Sequence, residues 1–409
     1  MSKVKADLKI DLNNLDKSNW KTYRFDEIVK NISERVDPNN TDLTVYIGLE
    51  HIDSESLHIK RHGTPDDVNG TKLKFYKGDI IFGRRRAYQR KAGIATSDGF
   101  CSAHALVLRA NPDVIDSELF PFFLHSDLFM NRAIDISVGS LSPTINWGTL
   151  KHQEFTIPPI EIQLEVIKLL LASDDLVQSE TLLLNNLELY KSSYLKDLFL
   201  GHIRLNNKSS KFKKTSLGDI PENWTVKKVG EIAKVIRGSS PRPKGDPRYY
   251  GGEIPRLMGA DVTRDGKYVT PKIDFLTEAG AKLSRPLQKG ALVMICSGNV
   301  GLSSFLAVDC CIHDGFIAFT NLSGECDPDF LYYTFNSQLQ RLFQNATHGG
   351  VFTNLTTDII KNFEIVIPPS NEQTFIGLEV SKQDRLISEF KNKSKNTNIL
   401  LSSLLNKVF

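Results

Sequence analysis

The chain has 409 residues, with 51 Lys and Arg against 48 Asp and Glu, giving a formal net charge of +3. A composition that is 40% hydrophobic and 24% charged belongs to a globular chain long enough for two or more domains, not to a disordered or fibrous one. The absence of an 18-residue apolar run or an apolar signal core argues against a membrane-spanning or secreted protein. Cys101, Cys296, Cys310, Cys311 and Cys326 form no CxxC pair, so they read as reduced core thiols of a cytoplasmic protein, not a disulfide framework or zinc ribbon.

Residues 1–18 are polar and expected to be loosely held. Asn19-Trp20 opens a first body, 19–158. Within it Phe25–Val29 reads as a short helix or turn, and Val45–Leu49, Asp79–Phe82 and Ala105–Leu108 read as strands. Lys77-Gly78 enters the second strand, Asp98-Gly99-Phe100 precedes the third, and Leu119–Ile134 reads as one helix. The body ends on Ile157-Pro158-Pro159. Proline suits a first helical turn and not an interior, so a long helix is expected over 159–200, on the order of 60 Å at about 1.5 Å per residue. A polar, basic linker follows at 201–222. Asn223-Trp224 opens a second body, 223–368, with strands at Ala291–Ile295, entered by Lys289-Gly290, and at Phe316–Phe319, preceded by Asp314-Gly315. A helix is expected over Phe330–Phe343. This body ends on Ile367-Pro368-Pro369, and a second long helix is expected over 369–409.

The chain is an internal repeat. Superposing Pro158 on Pro368 sets an offset of 210, which carries Gln163 onto Gln373 and Phe199 onto Phe409. The two Asn-Trp pairs lie 204 apart, so the second body has gained about six residues. Leu176, Leu183, Leu187, Tyr190, Tyr194 and Leu198 are spaced by threes and fours, as are Leu386, Lys393, Thr397, Leu400, Leu404 and Val408. This is the pattern of a seam between long helices, and pairing the two seams requires the helices to run antiparallel. The expected fold class is α+β: two similar mixed α/β domains separated by two long antiparallel helices and related by a pseudo-two-fold axis.

Two loops carry the candidate binding residues. In body 1, Arg84, Arg85, Arg86, Tyr88, Arg90 and Lys91 follow a strand. In body 2, Arg237, Ser239, Ser240, Arg242, Lys244, Arg248, Tyr249 and Tyr250 mix cations and aromatics with turn-forming residues. Either loop alone reads equally as a solvated basic loop. Two at matching depth in two repeats favour nucleic acid, where Arg and Lys hold phosphates and reach base edges. Apolar residues beyond the helical seam, among them Leu169, Leu170, Leu171, Leu182 and Leu184, suggest a protein-docking face. His51, His58 and His62 lack the carboxylate or Cys pattern of a metal set, and His313-Asp314 is a bare dipeptide. No GxxxxGK[ST] loop, Gly-x-Ser-x-Gly elbow or methyltransferase Asn-Pro-Pro-aromatic run occurs, so no catalytic constellation is expected.

The duplicated Ile-Pro-Pro-x-x-x-Gln tails, the Asn-Trp openings, the Lys-Gly strand entries and the helix ending Leu195–Phe199 together resemble the specificity subunit of type I restriction–modification systems. That resemblance implies that each body is a target recognition domain reading one half of a bipartite asymmetric site in double-stranded DNA. It implies that the helices space the halves and dock two methyltransferase subunits. It also implies two restriction subunits in the full complex, with S-adenosylmethionine, ATP and magnesium used by the partners and no cofactor, metal or membrane for this chain. The chain departs from the pattern in carrying Ile162 where Glu372 stands in the second tail, and in lacking short tandem repeats after the first helix. A subunit of a related methylation-only or phage-defence system, and an enzyme with an unrecognised site, are the alternatives.

Overall fold

The structure, a computed structural model, describes residues 11–12, 14–205, 211–349 and 352–409. Most of the expected polar N-terminal segment and residues 206–210 of the expected linker lie outside these. The chain divides into two units, Met1–Leu183 with Lys391–Phe409, and Leu184–Phe390. Each long helix therefore contributes one half to each unit.

In both units the strand after the Asn-Trp pair closes against the strand before Pro-Pro. Lys21–Arg24 lies antiparallel to Glu154–Ile157, with Lys21 opposite Ile157. Thr225–Lys228 lies antiparallel to Glu364–Ile367, with Thr225 opposite Ile367. A one-turn helix follows in each, Phe25–Ile28 and Val229–Ile232. Unit 1 then builds a four-stranded sheet in the order Val29–Ile32, Ala105–Ala110, Ile80–Gly83, Ala92–Ile94. Unit 2 repeats it as Lys234–Arg237, Phe316–Thr320, Leu292–Ile295, Ser303–Leu306, and adds Tyr268–Val269 at the edge. A second four-stranded sheet accompanies each.

The Lys-Gly entries are equivalent turns. Gly78 and Gly290 sit at φ +91 and +86, where a side chain would be strained. The preceding Lys77 and Lys289 amides donate to Asp98 Oδ1 (2.9 Å) and Asp309 Oδ1 (2.8 Å). Asp98 thus corresponds to Asp309, and its likeness to Asp314-Gly315 is a coincidence of sequence. The helix expected over Leu119–Ile134 is two, Leu119–His125 and Asp127–Asp135. Ser126 interrupts it in extended conformation: its Oγ donates to Phe123 O (2.7 Å) and accepts from Phe129 N (3.2 Å), starting the second helix with a cap. The helix expected over Phe330–Phe343 breaks likewise at Gln338, into Pro328–Ser337 and Leu339–Asn345. The far end of the expected linker is a hairpin, Phe212–Thr215 on Gly218–Pro221, with Ile220 buried.

The long helices are Ile160–Leu200 and Ser370–Val408, each starting right after its Pro-Pro. The repeated glutamine explains the repeated motif. Gln163 is fully buried; its Nε2 donates to Val114 O and Pro158 O (both 2.8 Å) and its Oε1 accepts from Asp116 N (2.7 Å). Gln373 donates to Glu325 O (2.6 Å) and Pro368 O (2.8 Å) and accepts from Asp327 N (2.8 Å). One amide thus satisfies three backbone groups and fixes the angle at which each body meets its helix, since a buried polar group left unmet is costly.

The helices run antiparallel within each unit. In unit 2, Tyr194 Oη donates to Glu379 (2.9 Å) and Lys191 pairs with Asp384 (2.5 Å). In unit 1, Glu180 pairs with Lys393 (3.4 Å). The buried stripe of the first helix is Val166, Ile167, Leu170, Val177 and Leu198, and that of the second is Ile376, Val380, Ile387, Leu405 and Val408. The expected seam is therefore corrected at Leu176, Leu183, Tyr190, Leu386 and Leu400, all exposed. Two apolar stripes share these helices, and the hydrophobic period alone does not say which one faces inward.

Candidate nucleic-acid interface

The Arg-rich segment of unit 1 is a turn braced by a second loop. Arg86 occupies the left-handed region (φ +57) and Arg90 does too (φ +49), bracketing the short 3-10 turn Ala87–Gln89. Non-glycine residues hold that conformation only when their surroundings enforce it. The enforcing element is the hairpin 138–144, closed by reciprocal Val138–Thr144 backbone bonds (3.1 and 2.9 Å). Pro143 O accepts from Arg86 N (2.7 Å), and Ile145 N donates to Arg84 O (2.8 Å). Ser142 Oγ accepts from both Arg85 Nε (2.8 Å) and Arg86 Nε (3.3 Å).

The six predicted residues then separate. Arg85, Arg86 and Tyr88 are exposed. Among the described residues no acceptor reaches the Nη groups of Arg85 or Arg86, so two guanidinium forks are held by one edge and open at the other. Arg84 turns back, its Nη2 donating to Ala103 O (3.1 Å). Arg90 donates to His125 O (2.8 Å) and pairs with Asp127 (2.8 Å) and Glu55 (3.4 Å). Lys91 Nζ donates to Leu49 O (2.6 Å). These last two brace the fold, and the structure corrects their placement on a binding face.

In unit 2 the predicted loop follows Lys234–Arg237, the counterpart of Val29–Ile32 and not of Ile80–Gly83. The expectation of two basic loops at matching depth is therefore corrected. The counterpart of Arg84-Arg85-Arg86 is Cys296-Ser297-Gly298: Leu355 N donates to Cys296 O (2.8 Å), as Ile145 N does to Arg84 O. Ser297 bridges to Asn354 as Arg85 bridges to Thr144. Gly298 takes φ +84, in the left-handed region where unit 1 strains Arg86. Nothing in either stretch of sequence marks the equivalence except the strand before it.

The predicted loop of unit 2 folds over His313-Asp314. Arg237 donates to Asp314 O (2.8 Å) and Asn354 Oδ1 (3.3 Å). Ser239 Oγ donates to Leu283 O (2.9 Å), and Ser240 Oγ to Asp314 Oδ1 (2.7 Å), a bond that holds the Asp314 carboxyl below its usual range. Arg242 reaches Asp314 Oδ2 (3.2 Å) and, like Lys244, is exposed. Arg248 is spent on Asp246 (2.7 Å) and lies over Tyr249, while Tyr250 donates to Pro241 O (2.8 Å) beneath Arg256. Ser240, Arg242, Lys244, Tyr250, Arg256 and His313 line one cleft. Burial pushes the His313 imidazole down, its Nδ1 accepts from Gly315 N (2.9 Å), and its buried Nε2 meets no partner among the described residues. Arg256 was missed in the sequence because it stands in no basic run, and the His313-Asp314 pair, a bare dipeptide in the sequence, lies at the bottom of this loop. The serine bonds the carboxylate and not the imidazole, so no nucleophile relay forms.

Among the described residues no group of His, Cys, Asp and Glu could hold a metal ion, and no helix is long and apolar enough to cross a membrane. All five cysteines are buried and free. Of the docking residues predicted on the first helix, Leu170 is fully buried in the unit 1 core, which corrects its assignment, and Leu171 packs against that core. Leu184 is half-buried and Leu182 is 63% exposed.

The sequence matches the model of the type I restriction modification DNA specificity domain twice, over residues 17–189 and 221–399. The chain belongs to this family. It is a type I specificity subunit with two DNA recognition domains. It is 26% identical over 364 residues to the MjaX type I restriction enzyme specificity subunit of Methanocaldococcus jannaschii, covering 85% of this chain and 81% of that protein. It is 21% identical to the HindI specificity subunit of Haemophilus influenzae, covering 95% and 99%. Its fold is similar to a chain from a structure of a type I R-M system (TM-score 0.64, 20% identity, 96% and 97% covered). It is also similar to the S subunit from M. genitalium (TM-score 0.53, 16% identity, 97% and 98% covered). In this specificity subunit the departure at Ile162 has a local cause. Glu372 is buried and bonded to Arg204, which follows the first helix, whereas Ile162 packs in the apolar core of unit 1.

Proposed function

We propose that the specificity subunit reads a bipartite, asymmetric site in double-stranded DNA, unit 1 through Arg85, Arg86 and Tyr88 and unit 2 through the cleft that carries Arg242 and Lys244. The observation that carries this reading is the pair of arginines held at Nε by Ser142, with their outer edges open. A guanidinium fixed on one side is prepared for bidentate contact with a phosphate or with guanine O6 and N7. The chain is a non-catalytic scaffold: the chemistry belongs to methyltransferase and restriction subunits, which use S-adenosylmethionine, ATP and magnesium in the cytoplasm. The two long helices, each shared by both units, set the spacing of the half-sites.

The same helices dock two copies of the methyltransferase. Their exposed apolar residues obey the 210-residue repeat: Leu176 and Leu386, Leu189 and Ile399, Tyr190 and Leu400 are all exposed. A duplicated apolar surface suits two copies of one partner, and exposed apolar area of this kind usually marks an interface. Mass measurement of the co-expressed complex tests it. Two methyltransferases per chain are expected, falling to one with Leu176→Glu alone or Leu386→Glu alone. Full occupancy in the double variant contradicts this docking face.

A further inference from the structure

The hairpin that braces the arginines has a feature that bracing does not require. Leu141, at its tip, is 93% exposed, and Val138 at its base is 61% exposed. The hairpin is tied on both sides of its tip. Its base is closed by the Val138–Thr144 pair, Thr144 Oγ1 donates to Ser142 O (3.1 Å), and Pro143 is tied to Arg86. The residue after Leu141 is the serine that holds Arg85 and Arg86. An apolar side chain is thus presented at full exposure beside two open cationic forks, on a hairpin tied at its base.

We propose that Leu141 is a wedge that enters the base stack of the half-site read by unit 1, unstacking one base step while Arg85 and Arg86 hold the flanking phosphates or base edges. This rests on the DNA-reading function proposed above and goes beyond it, because it assigns a deformation to a residue with no charge and no hydrogen-bonding side chain. The physical pattern is that of proteins that insert Leu, Ile, Phe or Met between base pairs and offset the unstacking with cationic contacts on either side. A protein partner is the other conceivable cover for an exposed leucine. The open cations at its side favour a polyanion whose interior is apolar, which describes stacked bases between phosphates. The wedge also supplies sequence preference without a base contact, since pyrimidine–purine steps unstack most easily.

The test uses the full chain in complex with its methyltransferase, on duplexes carrying 2-aminopurine at successive positions of the unit 1 half-site. The wild-type complex is expected to raise the emission at one step, as the probe loses its stacking neighbour. Leu141→Ala is expected to abolish that rise and weaken binding, while leaving the slope of log K against log salt unchanged, because no phosphate contact is lost. A mismatch at the same step should restore most of the lost affinity, since the unstacking cost is then already met. Leu141→Phe should keep the rise. Wild-type binding with no emission change at any position, or an L141A deficit that a mismatch does not relieve, overturns the wedge and leaves DNA reading by unit 1 standing. Failure of the wild-type complex to distinguish its half-site from random duplex overturns both.

Discussion

Replacing Glu372 with Ile puts into unit 2 the residue that unit 1 carries at the same place in its tail, and the structure says that this will be severe. Arg204 and Glu372 expose 4% and 7% of their side chains. Arg204 Nε donates to Glu372 Oε2 (2.8 Å), its Nη2 donates to the other carboxylate oxygen and to Asn223 Oδ1 (3.2 Å), and the guanidinium lies 5.7 Å from the Trp224 ring. Glu372→Ile alone strands that guanidinium in the core, which costs about 3–5 kcal/mol for a buried pair with one partner removed. Adding Arg204→Met removes the stranded charge. The double variant should return to within about 1 kcal/mol of the parent, because a well-packed apolar replacement of a buried pair is close to neutral. The assay is urea denaturation followed by Trp224 fluorescence, with Trp20 and Trp147 replaced by Phe so that the signal reports unit 2. A single variant that loses less than about 1 kcal/mol would refute the reasoning, as would a double variant no better than the single.

Three further outcomes follow from the same geometry. Arg85→Ala with Arg86→Ala should flatten the salt dependence of DNA binding by up to about two units in slope, whereas Arg90→Ala with Lys91→Ala should lower thermal stability and leave the slope alone. Arg86→Gly should stabilise unit 1 by on the order of 1 kcal/mol in a thermal melt, by relieving the left-handed backbone that Gly298 occupies in unit 2, while weakening recognition of the unit 1 half-site; a melt lowered by the glycine would contradict the strain argument. Burial pushes the His125 imidazole from 6.5 down to about 4, and its Nε2 donates to Ala92 O (2.8 Å). The neutral ring is the folded form and the unfolded chain takes the proton first, so this contribution is intact above pH 6.5. It is lost as pH falls toward 4, by roughly 3 kcal/mol, and His125→Gln should flatten that slope in urea midpoints measured across the range.

The repeat was legible because its motif has one structural cause. Gln163 and Gln373 each satisfy three backbone groups at a helix start, and a residue with so fixed a duty leaves the same letter at the same offset. The strand entries were legible for the same reason, through the left-handed Gly78 and Gly290. The seam was misread at Leu176 and Tyr190 because burial against a sister helix and exposure toward a partner select the same apolar residues at the same spacing. Of the candidate interface, the sequence marked the cations and not their directions. Charge density pointed to Arg85 and Arg86, but a run of cations does not say which of them turn inward. Arg90 and Lys91 turn because Asp127, His125 O and Leu49 O, distant in sequence, are waiting for them. Ser142 and Leu141 carried no signal, since a short polar loop with one leucine reads as a connection. In unit 2 the cation-rich loop drew attention away from Cys296-Ser297-Gly298, which holds the position of the arginines without their charge.

The assignment of one half-site to each unit is tested by genome-wide sequencing of modified bases in cells carrying the system, before and after residues 20–157 are exchanged for the corresponding body of another specificity subunit. A bipartite motif is expected in the parent and, after the exchange, a change in one half alone, with the other half and the spacer kept. A change in both halves, or a motif indifferent to the exchange, would contradict the assignment of one half-site to each unit.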